Sequence, residues 1–162
     1  MKKPIIFIAV IIIISISASA QNVTKKHGED EKTRKQISAL ANELADSLSK
    51  GNTNALERIL ANDYGDIGLL SNLPTSKNLL ISIYKETANN NQPVRLKSLK
   101  IDLNKSSIRI YENTAVIVGP VSAKWVWANN RIDDVRYLTT CITVRRNGTW
   151  QIVATHFSEA KT

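Results

Sequence analysis

The stretch TTCITVRRNGTWQIVATHFS, residues 139–158, decides how this chain folds. Asn147-Gly148 is a preferred dipeptide for a two-residue hairpin turn, because both of its residues tolerate a positive φ. The segments on either side are rich in β-branched and aromatic residues, which favours strands. The stretch therefore predicts an antiparallel hairpin.

A two-residue turn also fixes which residues of the two strands face each other. The predicted pairs are Arg146 with Thr149, Cys141 with Ala154, and Thr139 with His156. One face then holds Tyr137, Thr139, Cys141, Trp150, Ile152, Ala154 and His156, and the other holds Leu138, Ile142, Val144, Val153 and Phe157. Both faces are apolar enough to be covered, one by helices and one by a partner subunit, and the sequence leaves open which is which.

Three further strands are predicted upstream, where the apolar pattern alternates from Val94 onward. They correspond to VRLKSLKIDL, SSIRIYE and TAVIVGPVSAKWVWA, with short polar turns between them. Gly119-Pro120, inside the third of these segments, predicts a bulge or bend, because proline cannot donate to a strand ladder.

The part of the chain before the strands has helical spacing. Ile37, Leu40, Leu44 and Leu48 recur every three or four residues, and Gly51-Asn52 ends this first helix. Asn52 to Asn54 and Ser76 are the expected N-caps of a second and a third helix. Helices followed by an antiparallel meander predict an α+β fold with the helices on one face of a sheet.

The N-terminus has the pattern of a secretory signal peptide. Residues 1–20 contain two lysines, an apolar run from Ile5 to Ile14, and Ala18-Ser19-Ala20 as a cleavage site. The apolar run is shorter than the ~20 residues that a spanning helix needs. We therefore expect cleavage after Ala20, export to the periplasm or the extracellular space, and no stable membrane insertion after cleavage; an uncleaved N-terminal anchor is the alternative.

The expected domain organisation after cleavage is simple. Residues 21–32 are polar and without periodicity, which predicts a flexible lead, and residues 33–160 form one domain. The net charge of +8 is spread along the chain without a dense basic block, and there is no nucleic-acid-binding motif. We expect no nucleic-acid partner.

The composition also bears on cofactors and covalent chemistry. Cys141 is the single cysteine, so it forms no intramolecular disulfide and is expected to be a buried small residue. The two histidines, His27 and His156, and this cysteine do not have the spacing of metal ligands. No glycine-rich phosphate-binding loop is present. We therefore expect neither a metal nor another cofactor.

Several segments together resemble a known superfamily. They are LSKGNTNALERILANDY, SKNLLISIY, YENTAVIVGP and TTCITVRRNGTWQIVATHFS. In this order they resemble the SnoaL-like, or nuclear transport factor 2-like, proteins, particularly small exported members. The resemblance implies a cone-shaped α+β roll, in which a strongly curved antiparallel sheet wraps around the helices, with a pocket at the open end and frequent homodimers.

The candidate site residues follow from the expected pocket. His156, Asp63 and Asp66 are weak catalytic candidates, because enzymatic relatives use an acid, a base or an Asp-His pair inside the cone. A solvated loop and a strand-end histidine hydrogen-bonded to Thr139 explain the same residues without chemistry. Aromatic and polar side chains that could line a pocket, or pack in the core or a dimer face, are Tyr64, Trp125, Trp127, Tyr137 and Thr139.

Two functional hypotheses remain from the sequence. The first is an exported, homodimeric module that binds a small apolar or amphipathic ligand. The second is a cofactor-free lyase, isomerase or hydrolase that uses His156 with an aspartate. An enclosed cleft with His156 beside a carboxylate would favour the enzyme, and an exposed His156 would disfavour it.

Overall fold

The computed structural model describes residues 9–70, 73–87 and 93–160. The helices and strands are α1 (Ala9–Lys50), α2 (Thr53–Ile59), β1 (Leu60–Ile67), β2 (Thr75–Ser76), α3 (Lys77–Thr87), β3 (Val94–Ile101), β4 (Ser107–Tyr111), β5 (Thr114–Trp127), β6 (Ile132–Arg146) and β7 (Thr149–Glu159). The chain divides into two compact units, residues 1–35 and residues 36–162.

The first unit contains the N-terminal part of α1, and the first eight residues of the predicted signal peptide lie outside the described residues. The expected flexible lead, residues 21–32, is helical instead. Lysine and glutamate are good helix formers, and Glu31 and Lys35 form an i,i+4 ion pair at 2.8 Å. Among the described residues, no helix carries an apolar segment long enough to cross a membrane.

The second unit is an α+β fold with a strongly curled sheet, as the sequence predicts. Among the described residues, the strand order is β2-β1-β7-β6-β5-β3, with β4 also paired to β5. The pairs from β3 to β7 are antiparallel, whereas β1 joins β7 in parallel. The predicted antiparallel strands are therefore extended by β1, which precedes them in the chain and pairs with β7 in parallel.

The end of α1 and the starts of α2 and α3 lie where the sequence signals place them. Gly51 has a φ of +62° directly after Lys50, the last residue of α1. The side chain of Asn52 accepts a hydrogen bond from the Ala55 amide and caps α2. The Ser76 hydroxyl likewise accepts a hydrogen bond from the amide of Leu79 in α3.

The core lies between the helices and the inner face of the sheet. Its fully buried members include Ile37, Leu44, Leu56, Leu80, Ile117, Val121, Cys141 and Ile152. The opposite side of the sheet, which we call the outer face, consists of alternate residues that include Val118, Leu138, Thr140, Ala154 and His156. Val118 and Leu138 are 46% and 53% exposed, so the described part of the chain leaves these two side chains largely uncovered.

Of the predicted bulge or bend at Gly119-Pro120, the bulge is not formed against β6, because β5 pairs with β6 without interruption there. The dipeptide instead marks the place where the other edge of β5 changes partner, from β4 to β3. The Pro120 carbonyl accepts a hydrogen bond from the Asp102 amide in the short connection between those strands. A Cβ on Gly119 would lie 1.9 Å from the Ser106 Oγ atom, so the close approach of this connection requires glycine.

A bulge in β7 changes the predicted hairpin register. The turn pairs Arg146 with Thr149 as expected, but the register shifts between Ile142 and Thr143, whose partners are Ala154 and Ile152. Val153 is the extra residue. Beyond it the pairs are Cys141 with Thr155 and Thr139 with Phe157, so Thr155 and Phe157 face inward, whereas Ala154 and His156 face outward.

Candidate functional site

The second unit contains a cavity of about 620 Å³ between the curled sheet and the helices. It opens between the C-terminal end of α1, α3 and the ends of β3, β5 and β6. Prominent lining residues are Tyr84, Leu96, Trp125, Trp127, Val135 and Tyr137. The alternation of β5 places both tryptophans on the inner face, which is why they reach the cavity.

The polar atoms of the aromatic side chains largely bind one another or neighbouring residues. The Trp127 indole N–H donates to Oδ2 of Asp133 at 2.7 Å, and Arg131 donates to the same oxygen at 2.9 Å. Arg131 also lies over the Trp127 ring, 4.4 Å from its centroid. This fixes the orientation of Trp127 at the cavity edge.

Tyr137 interacts with Trp125 on the cavity wall. Burial raises the pKa of Tyr137, and a hydrogen bond from the Trp125 side chain to the phenolic oxygen opposes that rise. Because an indole can only donate, the Tyr137 oxygen is the acceptor, and its own O–H stays available as a donor. The cavity wall thus offers ring faces together with a phenol hydroxyl.

Charged side chains stand at the rim of the cavity. Lys50 is paired with Asp46 at 2.7 Å, and Asp133 is held by Trp127 and Arg131. Arg95 is exposed and contributes a further positive charge. The site therefore combines an aromatic wall with a polar, charged mouth.

Asp66 lies inside the fold, 2% exposed, next to β7. Its Oδ1 atom accepts a hydrogen bond of 2.6 Å from the Thr155 hydroxyl. That hydroxyl has a single proton, so the Tyr64 hydroxyl, 2.6 Å away, donates to Thr155. Burial raises the pKa of Asp66, while the hydrogen bond from Thr155 opposes the rise.

The sequence-predicted lining residues divide into two groups. Trp125, Trp127 and Tyr137 line the cavity. Tyr64 and Thr139 are buried in the core side of the sheet instead. The expected bond between Thr139 and the His156 side chain is replaced by one from the Thr139 hydroxyl to the His156 backbone carbonyl, at 3.2 Å.

The three catalytic candidates do not come together. His156 is exposed on the outer face, because the bulge at Val153 reverses the side to which it points. Asp63 is exposed and forms a bidentate ion pair with Arg146, with both oxygens at 2.7 Å, and this hydrogen bonding lowers the pKa of Asp63. Asp66 faces inward, so neither of these two aspartates shares a cleft with His156.

Cys141 also occupies a position that suits a structural role. Cys141 is buried and desolvation raises its pKa to about 12, which disfavours the thiolate. In the described part of the chain, no group of three or more His, Cys, Asp and Glu side chains is arranged to hold a metal ion.

Sequence reasoning missed two features of the site. Tyr84 was not among the predicted lining residues, yet it also lines the cavity. Thr155 was not recognised as a partner of Asp66, because the uniform register placed it on the face opposite to Thr139 and Cys141. A threonine in an apolar strand opposite an aspartate-containing segment gives no distinct signal without the bulge.

Comparison with known proteins agrees with this architecture. The family model for the calcium/calmodulin dependent protein kinase II association domain matches residues 33–161. No curated protein matches the sequence.

Several solved structures share the fold. A nuclear transport factor 2-like protein from Cytophaga hutchinsonii is 18% identical, with a TM-score of 0.66 over 78% of this chain and 98% of its own. A calcium/calmodulin-dependent kinase II association domain from Exiguobacterium sibiricum is 14% identical, with a TM-score of 0.66 over 80% of this chain and 95% of its own. A superfamily protein from Salmonella enterica is 18% identical, with a TM-score of 0.68 over 82% and 95%.

At these identities the structures establish the fold alone, and they confirm the resemblance that the sequence carries. The family match covers most of the chain, including every strand of the sheet. The chain therefore belongs to the calcium/calmodulin dependent protein kinase II association domain family, within the nuclear transport factor 2-like superfamily.

Proposed function

We propose that this protein binds a small amphipathic molecule in the cavity between sheet and helices. The observation that carries the proposal is a cavity of about 620 Å³ with an aromatic wall, a size within the ~300–1,000 Å³ of small-molecule sites. The two indole N–H groups are already bonded within the protein, so the rings offer apolar contact. The Tyr137 hydroxyl and the charged rim supply the polar contacts.

Binding can be tested by incubating the purified protein with a mixed small-molecule library and identifying retained compounds by native mass spectrometry. For a retained compound, Trp125→Ala is expected to weaken binding on the order of tenfold or more, because an aromatic anchor is lost. Tyr111→Ala is the matched control, since Tyr111 is exposed and outside the cavity. Equal affinity of parent and Trp125→Ala would place the ligand elsewhere.

We also propose that two copies associate through the outer face. This face has exposed apolar side chains at Val118 and Leu138, beside half-buried Ile142 and Ala154. A two-fold contact brings one patch onto an identical patch, so a patch of apolar side chains such as Val118 and Leu138 is complementary to itself. A second copy therefore suits this face better than a charged partner.

Light scattering at high micromolar concentration tests the dimer. Leu138→Asp should give monomers, because it places a carboxylate in the contact. Leu79→Asp is the control, since Leu79 is also exposed but lies on α3. A monomeric parent protein would refute association.

Export is the third part of the proposal and rests on the pattern of residues 1–20. Mass spectrometry of the protein from its host should give a mature chain that begins at Gln21. A mass that still includes Met1 to Ala20 would show that the segment is retained.

A further inference from the structure

Three charged side chains line the cavity, and two of them are neutralised within the protein. Lys50 is paired with Asp46 at 2.7 Å, and the carboxylate of Asp133 is paired with Arg131 at 2.9 Å. The third is Arg95 in β3, which is exposed and forms no ion pair with another described residue. Its guanidinium is therefore the charge of the cavity lining that the described part of the chain leaves uncompensated.

The C-terminal end of α1 also lies at the mouth of the cavity, and a helix end of this kind carries a partial negative charge on its free carbonyls. That charge is opposed within the protein. The backbone amide of Asn52 donates to the carbonyl of Ser47 at 2.9 Å, and the ammonium of Lys50 lies in the last turn of the helix. The helix end therefore does not cancel the positive charge of Arg95.

Hydrogen bonding along the lining favours a ligand that accepts hydrogen bonds. The Tyr137 oxygen accepts from the side chain of Trp125, so its own O–H remains to donate. The Ser49 hydroxyl accepts from the Leu99 amide and donates to a carbonyl one turn earlier in α1, each at 2.7 Å, so it is already used in both senses. The hydroxyl of Tyr137 and the guanidinium of Arg95 thus both offer donors.

The guanidinium and the aromatic wall are close together in the sheet. Leu96 pairs with Trp125, and Arg95 pairs with Val126, on the neighbouring strands β3 and β5. β3 is the last strand on this side of the sheet, so Arg95 lies at the edge of the cavity. Because neighbouring strands are only ~5 Å apart, a molecule with two fused rings is long enough to contact both Trp125 and Arg95.

We propose that the ligand of this cavity is an amphipathic oxyanion, with an aromatic body against Trp125 and a carboxylate or sulfonate group paired with Arg95. The inference rests on the proposed binding of a small amphipathic molecule and adds the sign of its charge. A guanidinium presents a planar set of N–H donors that matches two oxygens of such a group. The Tyr137 hydroxyl supplies a further donor to the same molecule.

A matched pair of dyes tests the sign of the charge. Anilinonaphthalene sulfonate is an aromatic anion, and phenylnaphthylamine has the same rings without the sulfonate. Both fluoresce more strongly in apolar surroundings, so titration of the purified gene product, as the cell processes it, gives a dissociation constant for each dye. Arg95→Gln is expected to weaken binding of the sulfonate about fivefold, the effect of a solvent-accessible ion pair, and to leave binding of the neutral dye unchanged.

Two further variants serve as controls, and circular dichroism verifies that each variant is folded. Lys97→Gln removes an exposed positive charge from the same strand, at a residue that does not line the cavity, and should change the affinity for neither dye. Trp125→Ala should weaken binding of both dyes, because both have aromatic rings that contact the wall.

The outcomes separate this inference from the proposed function. If the parent binds neither dye, or if Trp125→Ala weakens neither, the cavity is not a site for amphipathic molecules. If Trp125→Ala weakens both dyes but Arg95→Gln changes the two affinities by the same factor, only the preference for an anion is wrong. The role of Arg95 is also refuted if Lys97→Gln weakens binding of the sulfonate as much as Arg95→Gln does.

Discussion

The hydroxyl of Thr155 donates a 2.6 Å hydrogen bond to Asp66, and this bond joins β7 to β1 inside the fold. The other carboxylate oxygen of Asp66 is buried and has no hydrogen-bond partner among the described residues. Burial disfavours the charged carboxylate and raises the pKa of Asp66, although hydrogen bonds from Thr155 and from the Ile67 backbone oppose the rise. This relationship makes the stability of the fold depend on pH.

The first prediction is that Asp66→Asn reduces this dependence. A carboxyl whose pKa is higher in the folded state holds its proton better when folded, so it stabilises the fold below its unfolded pKa. That contribution is lost as the pH rises through the folded pKa, at about 1.4 kcal/mol for each unit of difference. Asparagine keeps the acceptor for Thr155 and carries no charge.

Urea unfolding at about pH 4.5 and about pH 7.5 measures the effect. Relative to the parent, Asp66→Asn should gain stability on going to the higher pH. Asp63→Asn is the control, because the ion pair with Arg146 lowers the pKa of Asp63, so its carboxylate is ionised at both pH values and this variant should differ from the parent by nearly the same amount at each. If the unfolding free energies of the parent and of Asp66→Asn change by the same amount between the two pH values, the explanation given for Asp66 is wrong.

The second prediction concerns Lys77, a lysine that is only 6% exposed. Its ammonium donates to the carbonyl of Glu57 at 2.7 Å and to that of Leu60 at 3.0 Å, and so it binds the free carbonyls at the end of α2. Lys77→Met leaves those carbonyls without this donor and should cost about 2 kcal/mol or more of unfolding free energy.

Chemical denaturation of Lys77→Met and Lys85→Met provides the comparison. Lys85 lies on the exposed side of the same helix, and its replacement should stay within about 0.5 kcal/mol of the parent. Equal stability of the two variants would show that the buried ammonium contributes nothing to the end of α2.

The third prediction contrasts Trp150 with His156 on the same strand. Trp150 is 8% exposed, so Trp150→Ala should cost about 3 kcal/mol or more through lost burial and a cavity. His156→Ala should cost no more than about 1 kcal/mol, because its side chain is exposed. Thermal melts at neutral pH compare them.

Trp150→Phe separates packing from polarity, since it keeps an aromatic ring and removes a buried indole N–H that has no hydrogen-bond partner among the described residues. The loss of stability in Trp150→Phe should be well below that in Trp150→Ala. If His156→Ala proved as costly as Trp150→Ala, the outward placement of His156 would be incorrect.

The fourth prediction is that Gly119→Ala destabilises the fold by about 1–3 kcal/mol, because the new Cβ overlaps Ser106. Combining it with Ser106→Gly removes the Oγ and Cβ atoms of Ser106 and should recover part of the loss in a double-mutant cycle. Gly65→Ala is the control, since no atom lies within 4 Å of the added Cβ. Strictly additive losses would mean that Ser106 does not restrict position 119.

The secondary structure of this protein is largely readable from local signals. The local signals are the capping residues Asn52 and Ser76 and the turn dipeptide Asn147-Gly148, and each affects only residues that are close to it in the sequence. The structure confirms the starts of α2 and α3 and the turn that they predict. Alternation in β5 also placed Trp125 and Trp127 on one face, because side-chain direction along an uninterrupted strand depends only on parity.

The site was less predictable because it depends on distant pairings. One extra residue at Val153 reverses the parity of the rest of β7, and no composition signal marks it. It moved His156 outward and Thr155 toward Asp66. The burial of Asp66 and the exposure of Asp63 likewise follow from the parallel pairing of β1, which the local sequence does not specify.

The position of β7 between β1 and β6 has a consequence for the order of folding. Leu60 in β1 pairs with Ile152 in β7. β1 is therefore synthesised early, but it cannot pair with β7 until almost the whole sheet has been translated. Such long-range closure is slow compared with the formation of the local hairpins. A nascent chain that ends at Arg146 exposes the edges of both β1 and β6, and it is at this stage that the protein is most dependent on protection from aggregation.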